Sequence, residues 1–279
     1  MEKILSKTKA RSLCTQKVVI PDGITTIGEY AFEDCDFVPE FVIPNSVTRI
    51  EDGAFNKCTA LTKIVIPDGV TYIGDGAFQD CSQLIKVVLP DSVEYIGEDA
   101  FKYCHSITKL SLPKNITEIS PGLFENCDNL KHMQIPDNVK VIGEDAFKDC
   151  YSLEKIDLPD GLNIIDDGAF YNCVALKNIE IPSSVTYIGS AAFHCCKSLK
   201  DIVIPDGINI LKQHIFHGCT NLERVVIPDS VEYLEDRAFF LCENLKYVNI
   251  PKNLKDEGKS VFYGCPYHIY NPPARPSWL

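Results

Sequence analysis

Residues 66–81 read IPDGVTYIGDGAFQDC, and residues 89–104 read LPDSVEYIGEDAFKYC. The two stretches begin 23 residues apart and match in almost every apolar position. The same phrase recurs along the chain with an unbroken 23-residue period, marked by proline at positions 21, 44, 67, 90, 113, 136, 159, 182, 205, 228 and 251. Eleven repeats without an insertion or deletion predict a solenoid, in which each repeat forms one coil of a continuous stack.

Each coil carries its apolar residues at the same places. Coil 1 begins at Pro21 and coil 11 at Pro251, and positions are counted from the proline as position 0. Aliphatic residues fill positions 3, 6, 17, 20 and 22, a small residue fills position 10, phenylalanine fills position 11 and cysteine fills position 14. One coil has too few inward residues to form an independent core. We therefore expect neighbouring coils to bury these residues jointly.

The local pattern predicts the elements of one coil. Positions 20–22 alternate between inward and outward residues, as in a short strand. The strand ends at proline, and the following Pro-Asp-Gly or Pro-Asp-Ser predicts a turn. The stretch IGDGAFQDC, with acidic residues near its start, predicts a tight helical turn. Strands of successive coils are expected to pair in parallel.

The consensus IPxxVxxIGxxAFxxCxxLxxIxI resembles the BspA-type leucine-rich repeat over about residues 15–265. This resemblance implies an α/β repeat solenoid, with a concave parallel β-sheet and short helical turns on the other side. Crossovers between parallel strands are generally right-handed, so a right-handed coil is expected. The resemblance also implies a secreted or cell-surface protein, typically of a host-associated bacterium or parasitic protist and often linked to adhesion.

The ends of the chain depart from the repeat. Before Pro21 only Val18 and Ile20 keep the strand register, and Cys14 is out of phase with the other cysteines. We therefore predict an N-terminal cap at 1–14, the solenoid at 15–265, and a C-terminal cap or tail at 266–279 with the only tryptophan, Trp278.

Composition narrows the function classes. The chain has 27 basic and 39 acidic residues and a formal net charge of −12, which argues against a nucleic-acid partner. No apolar run reaches 18 residues, so membrane insertion is not expected. The opening residues MEKILSKTKARSL have no uninterrupted apolar core and do not predict a signal peptide, so a cytoplasmic location is the alternative to the cell surface.

The thirteen cysteines raise the question of disulfides and metals. Eleven of them occupy position 14, one in each coil, and parallel stacking aims their side chains the same way. We expect buried, reduced thiols that act as small apolar groups. No CxxC pair occurs, so a structural zinc site of the ribbon type is not predicted.

One cluster offers an alternative metal site. His194 and His217 share position 12 in adjacent coils, and Cys195 and His214 lie close to them in sequence. These residues are a candidate set of soft metal ligands. The same column also contains Tyr171, Phe240 and Tyr263, so an aromatic stripe is the alternative, and no metal or cofactor is predicted. No nucleophile motif or phosphate-binding loop occurs, and the protein is not expected to be an enzyme.

Positions 19 and 21 flank the inward position 20 and therefore point outward. Position 19 carries a mostly basic row, and position 21 carries valines in the early coils and polar residues in the middle ones. An apolar strip beside charges is typical of a docking surface, although valine and lysine also suit solvent-facing strands. The candidate binding residues are Val42, Lys63, Val65, Lys86, Val88, Lys109, Ser111, His132, Gln134 and Lys155.

We therefore predict a non-catalytic protein-interaction or adhesion module that binds a protein, such as a host or matrix protein, through the concave sheet. Two alternatives stay open. One is a carbohydrate- or matrix-binding module that uses the tyrosines at position 5, which are Tyr72, Tyr95, Tyr187 and Tyr233. The other is a structural spacer of a larger surface protein. The oligomeric state is not predicted.

Overall fold

The computed structural model of the protein describes residues 3–15 and 17–266. Its N-terminal segment forms strand β1 (Ile4–Leu5) and helix α1 (Lys7–Arg11), and then the repeats begin. The predicted C-terminal segment, including Trp278, lies outside the described residues apart from Pro266. The rest is a parallel β-solenoid of about eleven coils, as the 23-residue period predicts.

Two columns of short parallel strands run along the solenoid. Sheet A contains the predicted strands around position 20: β2 (Val18–Val19), β4 (Phe41–Val42), β6 (Lys63–Val65), β8 (Lys86–Val88), β11 (His132–Gln134), β13 (Lys155–Asp157), β16 (Asp201–Val203), β18 (Arg224–Val226) and β20 (Tyr247–Val248). The paired residues are 23 apart, as in Lys63 opposite Lys86. The register therefore places equal positions of successive coils side by side.

Sheet B was not predicted as a sheet. It contains β1 and the strands at positions 5 and 6: β3 (Thr26–Ile27), β5 (Arg49–Ile50), β7 (Tyr72–Ile73), β9 (Tyr95–Ile96), β10 (Glu118–Ile119), β12 (Val141–Ile142), β14 (Ile164–Ile165), β15 (Tyr187–Ile188), β17 (Ile210–Leu211), β19 (Tyr233–Leu234) and β21 (Asp256–Glu257). Two-residue strands leave too short an alternation to be distinguished from an extended turn in the sequence.

The predicted helical turn after sheet B is not confirmed. In coil 3 the amides of Ala77, Gln79 and Cys81 donate to carbonyls three residues earlier, whereas the intervening amides donate to coil 4. Positions 9 and 13 have positive φ in all eleven coils, for example 56° at Gly76 and 59° at Asp80. A left-handed residue cannot continue a right-handed helix, so the segment is a series of turns. Glycine, aspartate and asparagine at these two positions were the sequence signal for this conformation.

The interior is a continuous ladder shared by all coils. Phenylalanines at position 11 stack on each other with ring centroids 5.1–5.9 Å apart, and all of them are buried. The thiol at position 14 donates to the phenylalanine carbonyl of the preceding coil, as from Cys104 Sγ to Phe78 O over 3.2 Å. Each coil thus satisfies a polar group of its neighbour as well as covering its apolar side chains.

One cysteine of the ladder departs from the prediction of reduced thiols. Cys35 is in coil 1, so no phenylalanine carbonyl of a preceding coil is available to accept a hydrogen bond from its thiol. Its sulfur is bonded to that of Cys14, with the Cα atoms 6.4 Å apart. The disulfide connects the segment that follows α1 to the first coil. The other eleven cysteines are free.

We predict that nine of the eleven free cysteines are protected from thiol reagents in the native protein. Those nine are buried, whereas Cys195 and Cys265 are partly exposed. Burial also raises the pKa of these thiols, to about 12 for Cys58, which suppresses the reactive thiolate. Ellman's reagent at pH 8 should modify no more than two thiols per chain before denaturant is added, and the Cys195→Ser variant should lose one. Rapid native modification of more than two thiols would contradict the shared interior.

The glycine at position 7 is required by a close approach between coils. Asp52 Oδ1 accepts a hydrogen bond from the amide of Asp75 in the next coil over 3.0 Å. A Cβ on Gly74 would lie 2.3 Å from that Oδ1 and 2.6 Å from the Asp52 amide nitrogen. The same contact recurs at Gly97, Gly189 and Gly258. Glycine is therefore a packing requirement in these four coils. Glu51, Ser120, Asp166, Lys212 and Glu235 occupy position 7 where the preceding coil has no aspartate at position 8.

Gly74→Ala is expected to lower the free energy of unfolding by about 1–3 kcal/mol, because the methyl group has no space against backbone atoms. Gly69→Ala is the matched control. Its Cβ would meet only carbonyl oxygens at 3.3 Å, and serine occupies the equivalent place at Ser46 and Ser92. Urea unfolding followed by circular dichroism measures both variants. Equal stability of the two would refute the packing argument.

Candidate interaction surface

The ten predicted binding residues all lie on the outer face of sheet A or in line with it. Position 20 points inward and is buried in every coil from Val18 to Val248. Positions 19 and 21 therefore point to solvent, and all ten side chains are exposed. The parallel register places them in two adjacent rows along the solenoid. We call this surface the sheet A face.

The basic row is divided into two parts by its ion pairs. Among the described residues, the ammonium groups of Lys63, Lys86 and Lys109 have no carboxylate partner. In the next two coils His132 Nε2 lies 2.8 Å and Lys155 Nζ 2.7 Å from the Asp157 carboxylate. These contacts, first the one with Lys155, lower the pKa of Asp157. The three unpaired lysines are therefore the part of the row that is available to an anionic partner.

An apolar row lies beside these lysines. Val19, Val42, Val65 and Val88 follow each other in coils at the N-terminal end, and their exposed fractions are 59%, 38%, 45% and 40%. The cross-strand register keeps the row continuous, because Val19 is paired with Val42 and Val65 with Val88. Contiguous exposed valines beside unpaired charges are typical of a protein-binding surface rather than of scattered surface residues.

Two recesses interrupt the sheet A face. The larger, about 550 Å³, lies between coils 4 and 5 and is lined by residues that include Lys109, Ser111, His132 and Gln134. The second, about 460 Å³, lies between coils 6 and 7 and includes Lys155 in its lining. Half of the predicted residues thus line a recess. Sequence reasoning missed Lys114 and Asn138 at the larger recess, because they follow the proline and join the face only when the coil closes.

The tyrosines of position 5 lie on sheet B, on a different face. Tyr72 and Tyr95 stack with ring centroids 5.2 Å apart, and the Arg49 guanidinium lies 3.9 Å from the Tyr72 ring. Burial of the ring raises the pKa of Tyr95 to about 12. Tyr187 and Tyr233 lie several coils away, separated from the pair by Glu118, Val141 and Ile164. The predicted tyrosine flank is therefore one stacked pair and two single rings.

The histidines form a stack of rings. His194 lies between Tyr171 and His217, with ring centroids 4.4 Å and 4.5 Å away, and Phe240 follows at 4.9 Å from His217. His214 Nδ1 lies 3.0 Å from His217 Nδ1, so these two nitrogens share one hydrogen bond. In the described part of the chain, no three His, Cys, Asp or Glu side chains are arranged to hold a metal ion. The geometry matches the aromatic alternative.

The chain belongs to the family of BspA type leucine rich repeat proteins. The profile of the BspA type Leucine rich repeat region (6 copies) matches residues 3–131 and 140–269, which is most of the chain. This match confirms the resemblance that the repeat consensus indicates. Proteins of this class are not known for catalysis. A search of curated proteins finds no significant match.

Solved structures of bacterial leucine-rich repeat proteins share the fold. A leucine-rich repeat protein from Bacteroides ovatus is 27% identical, with a TM-score of 0.70 over 89% of this chain and 84% of that one. A leucine rich cell surface protein from Faecalibacterium prausnitzii is 27% identical, with a TM-score of 0.52 over 90% and 86%. The leucine rich repeat protein of T. pallidum is 28% identical, with a TM-score of 0.54 over 67% and 78%.

The described residues contain no membrane-spanning helix. Across residues 3–15 and 17–266, the only helix has five residues, far fewer than a bilayer crossing requires.

The histidine stack is expected to make the stability depend on pH. Burial, followed by repulsion from His217 and His214, lowers the pKa of His194 from 6.5 to about 4. Burial also lowers the pKa of His214 and His217, with further contributions from Arg237, while Asp236 opposes the shift at His214. The unfolded chain therefore takes up protons at a higher pH than the folded one, and stability is lost as the pH falls from 6.5 toward 4.

We predict that His194→Phe reduces this loss of stability, because phenylalanine stacks in the same column without a proton to bind. The difference between the urea midpoints at pH 7 and pH 5 measures the effect. Tyr171→Phe, which keeps the ring that contacts His194 and removes no histidine, should leave that difference unchanged. An unchanged pH dependence in His194→Phe would show that the stack does not control it.

Proposed function

We propose that this chain is a non-catalytic protein-interaction or adhesion module that binds its partner through the sheet A face. The observation that carries the proposal is the row of three unpaired lysines, Lys63, Lys86 and Lys109, beside the exposed valine row in an otherwise acidic protein. The partner that fits this surface is a protein with carboxylates around an apolar patch. A host or matrix protein is the expected source.

The location that supports this role is the cell surface or the exterior. The related F. prausnitzii protein is described as a cell surface protein, and it is covered over 86% of its length at 27% identity. Proteins of the BspA type are usually secreted or on the surface. The Cys14–Cys35 disulfide accords with an oxidising compartment, because structural disulfides persist there.

The sheet A face fits a binding role better than a catalytic one. Its recesses are open depressions between coils, and their lining residues are drawn from two or three neighbouring coils. Long rows of repeated side chains offer an extended contact area, which is how solenoids usually bind proteins. The valines supply area that leaves water, and the lysines supply orientation and association rate.

A second candidate is a carbohydrate- or matrix-binding module centred on sheet B. The stacked pair of Tyr72 and Tyr95 is the observation that favours it, because aromatic rings are common contact surfaces. The pair is short, and Arg49 already lies over the Tyr72 ring. We therefore rank this candidate below the sheet A face, and a spacer role without any partner below both.

The triple variant Lys63→Glu, Lys86→Glu, Lys109→Glu is expected to weaken partner binding by about tenfold or more. The new glutamates would repel the carboxylates of the partner across the interface. Binding is measured on a sensor chip carrying purified extracellular-matrix proteins and epithelial surface proteins. The matched control is Lys57→Glu, Lys140→Glu, Lys197→Glu, which adds the same charge at exposed positions away from the sheet A face.

Three outcomes separate the candidates. Loss of binding in the first triple variant, with binding retained in the control, supports the sheet A face. If the triple lysine variant still binds and the double variant Tyr72→Ala, Tyr95→Ala does not, the binding surface is on sheet B. Wild-type protein that binds none of the immobilised proteins favours the spacer role.

A further inference from the structure

The junction between coils 4 and 5 differs from the others. Sheet B is interrupted there, because β9 is not paired with β10. Sheet A is interrupted there too, because residues 109–111 of coil 4 form no strand beside β8 or β11. Within residues 3–15 and 17–266, every other junction for which both columns are described keeps strand pairing in at least one of the two sheets.

The interior is also widest at this junction. Phe101 and Phe124 have ring centroids 5.9 Å apart, whereas the other neighbours in the ladder are 5.1–5.5 Å apart. Coil 5 carries Leu123 at position 10, where most coils have alanine, although Ile215 and Val261 occupy the same position beside rings only 5.5 Å and 5.3 Å apart. On the turn side the coils remain joined, for example through the Phe101 amide and the Leu123 carbonyl at 3.1 Å.

The wide junction leaves backbone groups of coil 4 without partners. In coils 2 and 5 the amides at position 22, Ile66 and Ile135, each donate to the carbonyl at position 21 of the next coil over 3.0 Å. The Leu112 amide makes no such bond, and neither do the position-22 amides of Ile43, Leu89, Leu158 and Ile181. Across the described chain, residues 109–112 neither donate nor accept a backbone hydrogen bond with another coil.

The larger recess opens at the same place. Its lining combines the apolar groups of Leu110, Leu112 and Ile135 with the polar groups of Ser111 and Gln134. Lys109 is the cation at its rim without a carboxylate partner in the described residues. The other two basic side chains there already have carboxylate partners: Lys114 Nζ is 2.9 Å from Asp91, and His132 Nε2 is 2.8 Å from Asp157.

We infer that this recess is the anchor point of the sheet A face and binds an extended acidic peptide segment of the partner. The inference rests on the proposed function and names the part of that surface on which affinity concentrates. A carboxylate of the segment pairs with Lys109, and its main chain bonds to the polar side chains of Ser111 and Gln134 that line the recess. An adjacent apolar side chain of the segment packs against Val88, the exposed valine of the neighbouring coil.

Charge favours an acidic segment over a basic one. Lys63 and Lys86 continue the line from Lys109 along the sheet A face, and none of the three has a carboxylate partner among the described residues. Asp137 also lines the recess, so a second carboxylate at that end would be repelled. The segment is therefore expected to place its acidic residues toward coils 2–4 and its neutral residues toward coil 6.

The test uses fluorescein-labelled octapeptides in which valine alternates with aspartate, lysine or serine. Fluorescence anisotropy should show tighter binding of the valine–aspartate peptide to wild-type protein than of the other two. Ser111→Trp fills the recess and should weaken this binding about tenfold or more, as loss of an anchor contact does. Val203→Trp places the same ring in the same column four coils away and should have no effect.

Lys109→Gln should also weaken binding of the aspartate peptide, and Lys200→Gln, at an exposed lysine of coil 8, should not. Gln134→Trp is a second filling variant, and circular dichroism melting verifies that each variant is folded. No binding to wild-type protein at about 1 mM peptide overturns the inference. Equal effects of Ser111→Trp and Val203→Trp, or a preference for the lysine peptide, also overturn it.

Two further outcomes separate this inference from the proposed function. If the triple lysine variant no longer binds the partner protein but Ser111→Trp binds it normally, the sheet A face is functional and the recess is not its anchor. If sedimentation shows that wild-type protein self-associates and that Ser111→Trp abolishes this, the occupant is a second copy, and the peptide assignment is wrong.

Discussion

The structure depends on one constraint: no coil can remove its own apolar side chains from water. The phenylalanine at position 11 is covered by the phenylalanines above and below it, and the thiol at position 14 donates to a carbonyl of the preceding coil. Because every coil needs the same partners, each position must recur with the same residue type. The unbroken 23-residue period is the visible result of this requirement.

The same constraint decides how the backbone is satisfied. On the turn side, amides alternate between carbonyls of their own coil and carbonyls of the next coil, which requires left-handed residues at positions 9 and 13. On the other two sides, parallel strands make the connections. Equal positions are thereby aligned along the whole molecule, so a repeated surface residue becomes a continuous row. A surface that several coils share on this protein is therefore a row or a place where a row is interrupted.

The sheet A face combines both features. Its valine row and unpaired lysines form the continuous part, and the junction between coils 4 and 5 supplies an interruption with free backbone groups. In the proposed function, the basic row of this otherwise acidic chain selects acidic partners whose charges match the row. The two proposals thus describe one surface at two scales, an extended face and an anchor within it.

The sequence alone determined the period, the inward positions, the parallel stacking of sheet A and the outward direction of the ten candidate residues, because each of these follows from a local pattern that repeats eleven times. The glycine, aspartate and asparagine residues of positions 9 and 13 also indicated the left-handed turns, although the acidic residues at position 8 suggested a helix start instead. Sheet B, the Cys14–Cys35 bond, the pairing of Asp157 with His132 and Lys155, and the wide junction beside Leu123 were decided only by the tertiary structure. The physical reason is that these features depend on the distances between coils, and a repeat pattern specifies which residues face each other but not how closely they approach.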